Sequence, residues 1–286
     1  MYRDCDHLVS ENKVYTIRGN WRTNEVYLLA KPVYERENTT GTFKKIVDLK
    51  GIEGENLIWL DPRSFKHISC KGIDLNNYTG DSVWDRIVRA LVELGIPAEE
   101  IGLFGSKKLG FPNCKDEDFI IYGVENMRRL KSSIDWFKKR VGLYNHTLNH
   151  AMYQVESHGK YFDTAQNNLL LCLLNKWSTC SFTEEKTTTI RFVDDSVYTG
   201  DILKEYVYNK SFKESTMLKG VVSNADGTSY MPRTFTLETD SGNINVIVPL
   251  WIFHQCVKDN DLVEVTGTII NGKLVVRGYH HGIKFI

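Results

Sequence analysis

The sequence predicts an α+β chain in three parts: a β-rich region over residues 1–78, a mixed α/β core over 79–198 and a β-barrel over 199–286. Three observations predict it. Apolar runs separated by turn residues fill the first sixty positions; two segments of helical period bracket two short apolar runs in the middle; and five strand-like runs follow Met217. A chain of 286 residues exceeds the usual size of one domain, so each part can bury a core of its own.

In the first part, KVYTIR (13–18), EVYLLAKPVY (25–34), FKKIVDL (43–49) and NLIWL (56–60) read as strands of a small sheet or meander. A polar, turn-rich stretch from Asp61 to Gly80 leads out of it.

The core begins with a helix. Trp84, Ile87, Val88, Leu91 and Leu94 recur at helical spacing, Ser82 is placed to cap the N-terminus, and Gly95 followed by Pro97 ends the run. Ile101–Phe104 then reads as a short strand and Phe119–Tyr122 as a buried one stopped by Gly123. A second helix is expected from Met127, Leu130, Ile134, Phe137 and Val141, with Gly142 at its C-terminal cap.

Between the two strands lies the chemistry. Gly105 lets a backbone approach phosphate closely, the Ser106 hydroxyl can donate to phosphate oxygens, and Lys107 and Lys108 add positive charge. Side chains two apart on a strand share a face, so Asp116 and Asp118 present their carboxylates together while Glu117 points away. Such a pair suits divalent metal. Two magnesium ions about 3.5 to 4 Å apart would bridge a triphosphate and activate an attacking hydroxyl.

The segment IPAEEIGLFGSKKLGFPNCKDEDFIIYG (96–123) resembles the polymerase-β-like nucleotidyltransferase superfamily, whose pattern is hydrophobic-Gly-Ser, about ten residues, then Asp-x-Asp. A closer resemblance, to a group of predicted nucleotidyltransferases best represented in archaea, extends over most of the chain, including IRFVDDSVYTGD and VEVTGTIINGKLVVRG. It implies a nucleotidyltransferase core, with Gly105 and Ser106 as the triphosphate-binding pair and Asp116 and Asp118 as metal ligands. Two positions depart from the pattern: Glu117 stands where an apolar residue is usual and Lys115 where a small one is. The superfamily draws a third carboxylate from a later strand, as metal ligand and general base. The run TTTIRFV (187–193) is the first place to look, and only Asp194 and Asp195 follow it; Asp163 is the other candidate, or else a helix N-cap.

In the last part, MLKGVVSNA, RTFTLETD, INVIVPL, LVEVTGTI and KLVVRG are five strand candidates, with the short apolar segment LWIFHQCV between the third and fourth. Five strands with one inserted helix, and an Asn271-Gly272 hairpin near the close, suggest an OB-like barrel. Such barrels often bind single strands through aromatic and basic residues. Tyr230, Arg233, Phe235, Lys273 and Arg277 are the candidates here, against the alternative that the aromatics simply fill the barrel.

Composition narrows the remaining classes. With 36 basic and 36 acidic residues the net charge is zero, which argues against a broadly basic nucleic-acid coat and leaves room for a local positive groove. The six cysteines form no C-x-x-C pair and read as reduced residues, and no apolar run is long enough to span a bilayer, so a cytoplasmic protein is expected. His146 and His150, like His280 and His281, read as packing or surface histidines, Leu169–Leu174 as a buried helix, and Lys138–Arg140 as a solvated helix end. The combined expectation is a magnesium-dependent nucleotidyltransferase moving a nucleoside monophosphate from a nucleoside triphosphate to an acceptor hydroxyl, on a nucleic-acid end, a partner protein or a small molecule. The rival is a non-catalytic nucleotide- or nucleic-acid-binding protein on a degenerate core: Asp163, Asp194 or Asp195 within metal-sharing distance of Asp116 and Asp118 favours the enzyme, and an apolar or basic residue there favours the binder.

Overall fold

The computed structural model describes residues 1–21, 27–38, 40–46, 57–111, 118–158, 166–183, 187–200, 202, 215–249, 253–277 and 280–286. Its architecture is mixed α+β, with two compact units. The first comprises Met1–Val47, Leu57–Asn145 and Trp177–Gly200; the second comprises His146–Lys176 and Asp201–Ile286. This grouping differs from the three-part division of the sequence. The β-rich region and the core share one unit, and residues 146–176 leave the core to join the barrel.

Unit 1 holds two sheets. Strands β1 (His7–Val9), β2 (Lys13–Ile17), β3 (Leu28–Arg36), β4 (Phe43–Lys45), β5 (Ile58–Leu60) and β6 (Lys66–Ile68) form an antiparallel sheet in the order β4-β3-β2-β1-β6, with β5 also on β3. Pro32 has no N–H for a ladder, and the β2–β3 register slips beside it, between Val14 and Tyr15. Strands β2, β3, β4 and β5 match sequence runs, whereas β1 and β6 lie where no strand is expected. The buried Asp6 carboxylate ties them together by accepting from the Cys70 N–H at 2.8 Å and pairing with His67 Nε2 at 2.8 Å.

The second sheet follows α1 (Val83–Glu93). Ser82 and Asp85 form a reciprocal capping box, and Ile87, Val88 and Leu91 are fully buried, each contributing about 1.5–3 kcal/mol. Next come β7 (Ile101–Phe104), β8 (Asp118–Tyr122), α2 (Val124–Ser132), α3 (Ile134–Val141) and β9 (Tyr144–Asn145). The single helix expected over 127–141 is therefore two. Ser133 leaves helical geometry at φ −113°, and the Ser132 hydroxyl bonds the Arg129 carbonyl, local competition that breaks a helix. The Gly142 N–H closes α3 on the Lys138 carbonyl. Lys138 is not part of a solvated end: it is buried, and its ammonium reaches Asn145 Oδ1 at 2.8 Å.

Unit 2 opens with α4 (Leu148–His158) and α5 (Gln166–Leu174), whose Ala151, Val155, Leu169, Cys172 and Leu173 pack into one core with the barrel. Chain tracing then returns to unit 1 for β10 (Thr179–Ser181) and β11 (Thr187–Val193), which complete the order β7-β8-β11-β10-β9, with β8 and β11 parallel and the other pairs antiparallel. One face of this sheet carries Phe119, which meets Tyr78 and Trp84; the other carries Ile120, Tyr122 and Val193 against Cys5 and Cys70 of the N-terminal region.

The rest of unit 2 is a closed five-stranded barrel. Strands β12 (Thr216–Ser223), β13 (Arg233–Thr239), β14 (Gly242–Val248), β15 (Leu262–Ile270) and β16 (Lys273–Val275) run in the order β12-β13-β14-β16-β15, and β12 pairs with β15 to close it. Strand β17 (Gly282–Phe285) pairs with the first half of β15, on the edge opposite β12 that β16 occupies further along, and Ile283 joins the barrel core. Asn271 and Gly272 both take positive φ in a two-residue hairpin joining β15 to β16, as the Asn-Gly pair predicts. The short helix expected in LWIFHQCV falls partly on residues 250–252, outside the described residues.

Candidate functional site

Strand β7 delivers the chain to the Gly-Ser loop. Gly105 has φ +75°, and the turn beyond it closes as the Leu109, Gly110 and Phe111 N–H groups donate to the carbonyls of Gly105, Lys107 and Ser106. A Cβ built on Gly105 would lie 3.8 Å from Asp118 Oδ2 and 3.8 Å from the Tyr34 hydroxyl, so loop, carboxylate and N-terminal sheet converge on one point. Ser106 and Lys108 are half-buried there, and Lys107 is exposed. Of the other acidic candidates, Asp116 and Asp163 lie outside the described residues.

The Gly105 amide donates to Nε2 of His7 at 3.3 Å, and His7 Nδ1 lies 3.2 Å from the Thr16 hydroxyl. His7 is fully buried and stacks at 5.2 Å on Phe104. Burial lowers its pKa to about 4, with Lys108 and Arg191 adding to the fall, so the ring is neutral at pH 7 and free to accept from Gly105. No signal in the sequence marks His7; its partners come from far along the chain.

The parallel register of β8 and β11 decides the third carboxylate. Asp118 shares its face with Ile120 and Tyr122, and their β11 neighbours on that face are Thr189, Arg191 and Val193. The Arg191 guanidinium lies 4.4 Å from the centroid of Phe104, the residue paired with Asp118 on the other side. Thr189 is thus the β11 residue level with Asp118, and Arg191, level with Ile120, adds a cation on the same face. Asp194 follows the far end of β11, roughly 16 Å along the strand direction from the Asp118 level at about 3.3 Å per residue. Its carboxylate accepts from the Ser196 N–H and hydroxyl. Asp195 is tied to Arg3 at 2.9 Å and Lys71 at 2.8 Å. Neither shares a metal with Asp118, because a parallel strand carries its C-terminal end away from that of the loop. Among the described residues no three His, Cys, Asp or Glu side chains are grouped to hold a metal, so the described donors do not fit a two-metal centre.

Beyond Tyr34 the site continues into aromatics. Phe111 meets Tyr34 edge-on at 5.0 Å and stacks with Phe43 at 5.3 Å, and the Arg36 guanidinium lies 5.7 Å from the Phe43 centroid.

In the barrel the five nucleic-acid candidates do not form one surface. On β13, Arg233, Phe235 and Leu237 all point inward: Phe235 belongs to the core, and Arg233 is buried, with Nη1 donating to the Pro249 carbonyl at 2.9 Å. Two-residue spacing put these residues on one face, and closure of the barrel made it the inner one. Tyr230, Lys273 and Arg277 are half-buried, and the Arg277 N–H donates to Nδ1 of the buried His281 at 3.1 Å. His146 is also a packing residue, its Nδ1 donating to the Leu173 carbonyl at 3.1 Å. No helix among the described residues is long and apolar enough to cross a membrane.

Comparison with family models, with curated proteins and with solved structures finds no match to this chain.

Proposed function

We propose that this chain is a nucleotide-binding protein built on a nucleotidyltransferase-type core, holding the triphosphate of a nucleoside triphosphate at the Gly105–Gly110 loop. The observation that carries this reading is that the β11 residues nearest Asp118 on its face are Thr189 and Arg191, neither of them an acid. Arg191, Lys107 and Lys108 add positive charge on the side of the loop and Asp118, a field that attracts polyphosphate. The order of helix, strand, Gly-Ser loop, strand and parallel partner supports the core assignment.

Nucleotidyl transfer is the second reading, favoured by Asp118 facing the loop at the end of an Asp-x-Asp sequence. We also assign the barrel to the OB class, supported by its first-second-third-fifth-fourth-first strand order with the third and fifth strands parallel. That assignment leaves its ligand open, since a fold does not fix a function.

The test pairs binding with transfer. Titration calorimetry with magnesium nucleoside triphosphates measures binding; incubation with each α-labelled nucleotide, total RNA and lysate measures transfer. Binding without transferred label, weakened about tenfold in Arg191→Gln by loss of one charged contact, is the expected result. Label transferred by the wild type and lost in an Asp116→Asn, Asp118→Asn double variant would replace this reading with the transferase. Absence of any nucleotide binding would overturn both.

A further inference from the structure

We infer that the N-terminal sheet supplies the base-binding half of this nucleotide site, with Phe43 as the stacking platform and Arg36 as its cover. The inference rests on the nucleotide-binding reading and adds to it the subsite that separates nucleosides from bare polyphosphate.

Four observations carry it. First, Tyr34 on β3 brings its hydroxyl to the same 3.8 Å distance from the Gly105 Cβ position as the Asp118 carboxylate, so the N-terminal sheet borders the loop directly. Second, the aromatic rings lead away from that point in sequence: Tyr34 to Phe111 at 5.0 Å, then Phe111 to Phe43 at 5.3 Å with their planes only 9° apart. Third, these three rings are half-buried, not sealed in a core, although each is large enough to be worth burying completely. Fourth, the outermost ring carries a cation at 5.7 Å, and the exposed Arg36 donates from Nε to the Gly41 carbonyl at 2.9 Å, which holds its guanidinium plane beside that ring.

The chemistry of a nucleotide matches this layout from end to end. Its phosphates need hydroxyl and cationic groups, which the Gly105–Gly110 loop offers. Its base needs a flat apolar surface, which Phe43 offers, and an arginine plane on the opposite side adds a second stacking partner. Every base has such a face, so the platform predicts broad recognition of nucleosides in preference to a strict choice of one base. In the sequence, Phe43 reads only as the first residue of a strand. It becomes part of the site because β3 and β4 pair with Arg36 opposite Phe43 and Tyr34 opposite Lys45, which sets Tyr34, Arg36 and Phe43 along one end of the sheet beside Phe111.

Calorimetry with magnesium complexes of ATP, GTP, CTP and UTP, and with magnesium tripolyphosphate, tests the inference on the full-length chain. Phe43→Leu keeps an apolar side chain against Phe111 and removes the π-face, and Phe43→Trp enlarges that face. The expected result is that Phe43→Leu weakens all four nucleotides about tenfold, the order of one lost base–aromatic stack, and leaves tripolyphosphate unchanged. Phe43→Trp is expected to retain or raise nucleotide affinity. Equal nucleotide affinities in wild type and Phe43→Leu would overturn the inference while leaving the phosphate site in place. So would a wild type that binds tripolyphosphate as tightly as the nucleotides. A wild type that binds neither overturns the nucleotide-binding reading, and this inference with it.

Discussion

Substituting Gly102 by alanine tests the junction that brings the N-terminal sheet to the loop. Gly102 lies in β7 beneath the Cys70–Lys71 segment, bridged to Lys71, and the neighbouring Leu103 N–H donates to the Cys70 carbonyl at 3.1 Å. A Cβ on Gly102 would sit 2.5 Å from the Cys70 carbonyl oxygen and 2.9 Å from Tyr122 Cε2. Neither neighbour yields easily, since one is backbone and the other a fully buried ring. The segment must therefore lift, adding overpacking of about 1–3 kcal/mol and losing a hydrogen bond worth about 1 kcal/mol. The expected destabilisation is about 2–4 kcal/mol. Urea unfolding followed by tryptophan emission reads it well, because Trp21, Trp59, Trp84, Trp136 and Trp177 all belong to unit 1. The midpoint should fall at nearly unchanged slope. Gly105→Ala is the comparison: its Cβ meets nothing nearer than 3.8 Å, so the cost is only the left-handed backbone, about 1 kcal/mol. If Gly102→Ala changes stability by less than about 0.5 kcal/mol, the range of an unconstrained surface site, the close approach of Cys70 to β7 is refuted.

Three further outcomes follow from the same structure. Ser82→Ala removes the capping box of α1 and should destabilise unit 1 by about 1 kcal/mol in the same urea assay; no change would mean the box is not formed in solution. Phe235→Ala should cost about 3–5 kcal/mol through a cavity in the barrel core, read as a lowered urea midpoint; an unchanged midpoint would mean Phe235 is not packed inside. Stability should also fall on acidification between pH 6.5 and about 4, because burial holds His7, His146 and His281 at pKa values near 4 and unfolding restores the ordinary 6.5. In that window the unfolded chain binds protons the folded one refuses, so this contribution is complete above pH 6.5 and lost as pH falls through the folded values. A melting temperature flat from pH 7 to pH 4.5 would contradict it.

The sequence by itself determined the elements whose causes are local. Ser82, Asp85 and the Ile87–Leu91 stripe specify α1 wherever the rest of the chain lies, and Asn271-Gly272 specifies a tight hairpin because both residues tolerate positive φ. The Gly-Ser loop and the start of β8 were legible for the same reason: strand, turn glycine and strand follow one another within twenty-odd residues. What only tertiary structure decided was which side of each strand met which neighbour. The pairing of Thr189 and Arg191 with the Asp118 face depends on a parallel register between strands seventy residues apart, and no period in TTTIRFV encodes it. Arg233 and Phe235 were legible as nucleic-acid candidates, but inside and outside are defined only when β12 closes on β15. His7, Tyr34 and Phe43 became candidates of the site for a related reason. They belong to a sheet whose local sequence says nothing of phosphate, and they acquire a role through distance to Gly105, a quantity that exists only once the N-terminal sheet and the core have packed into one unit.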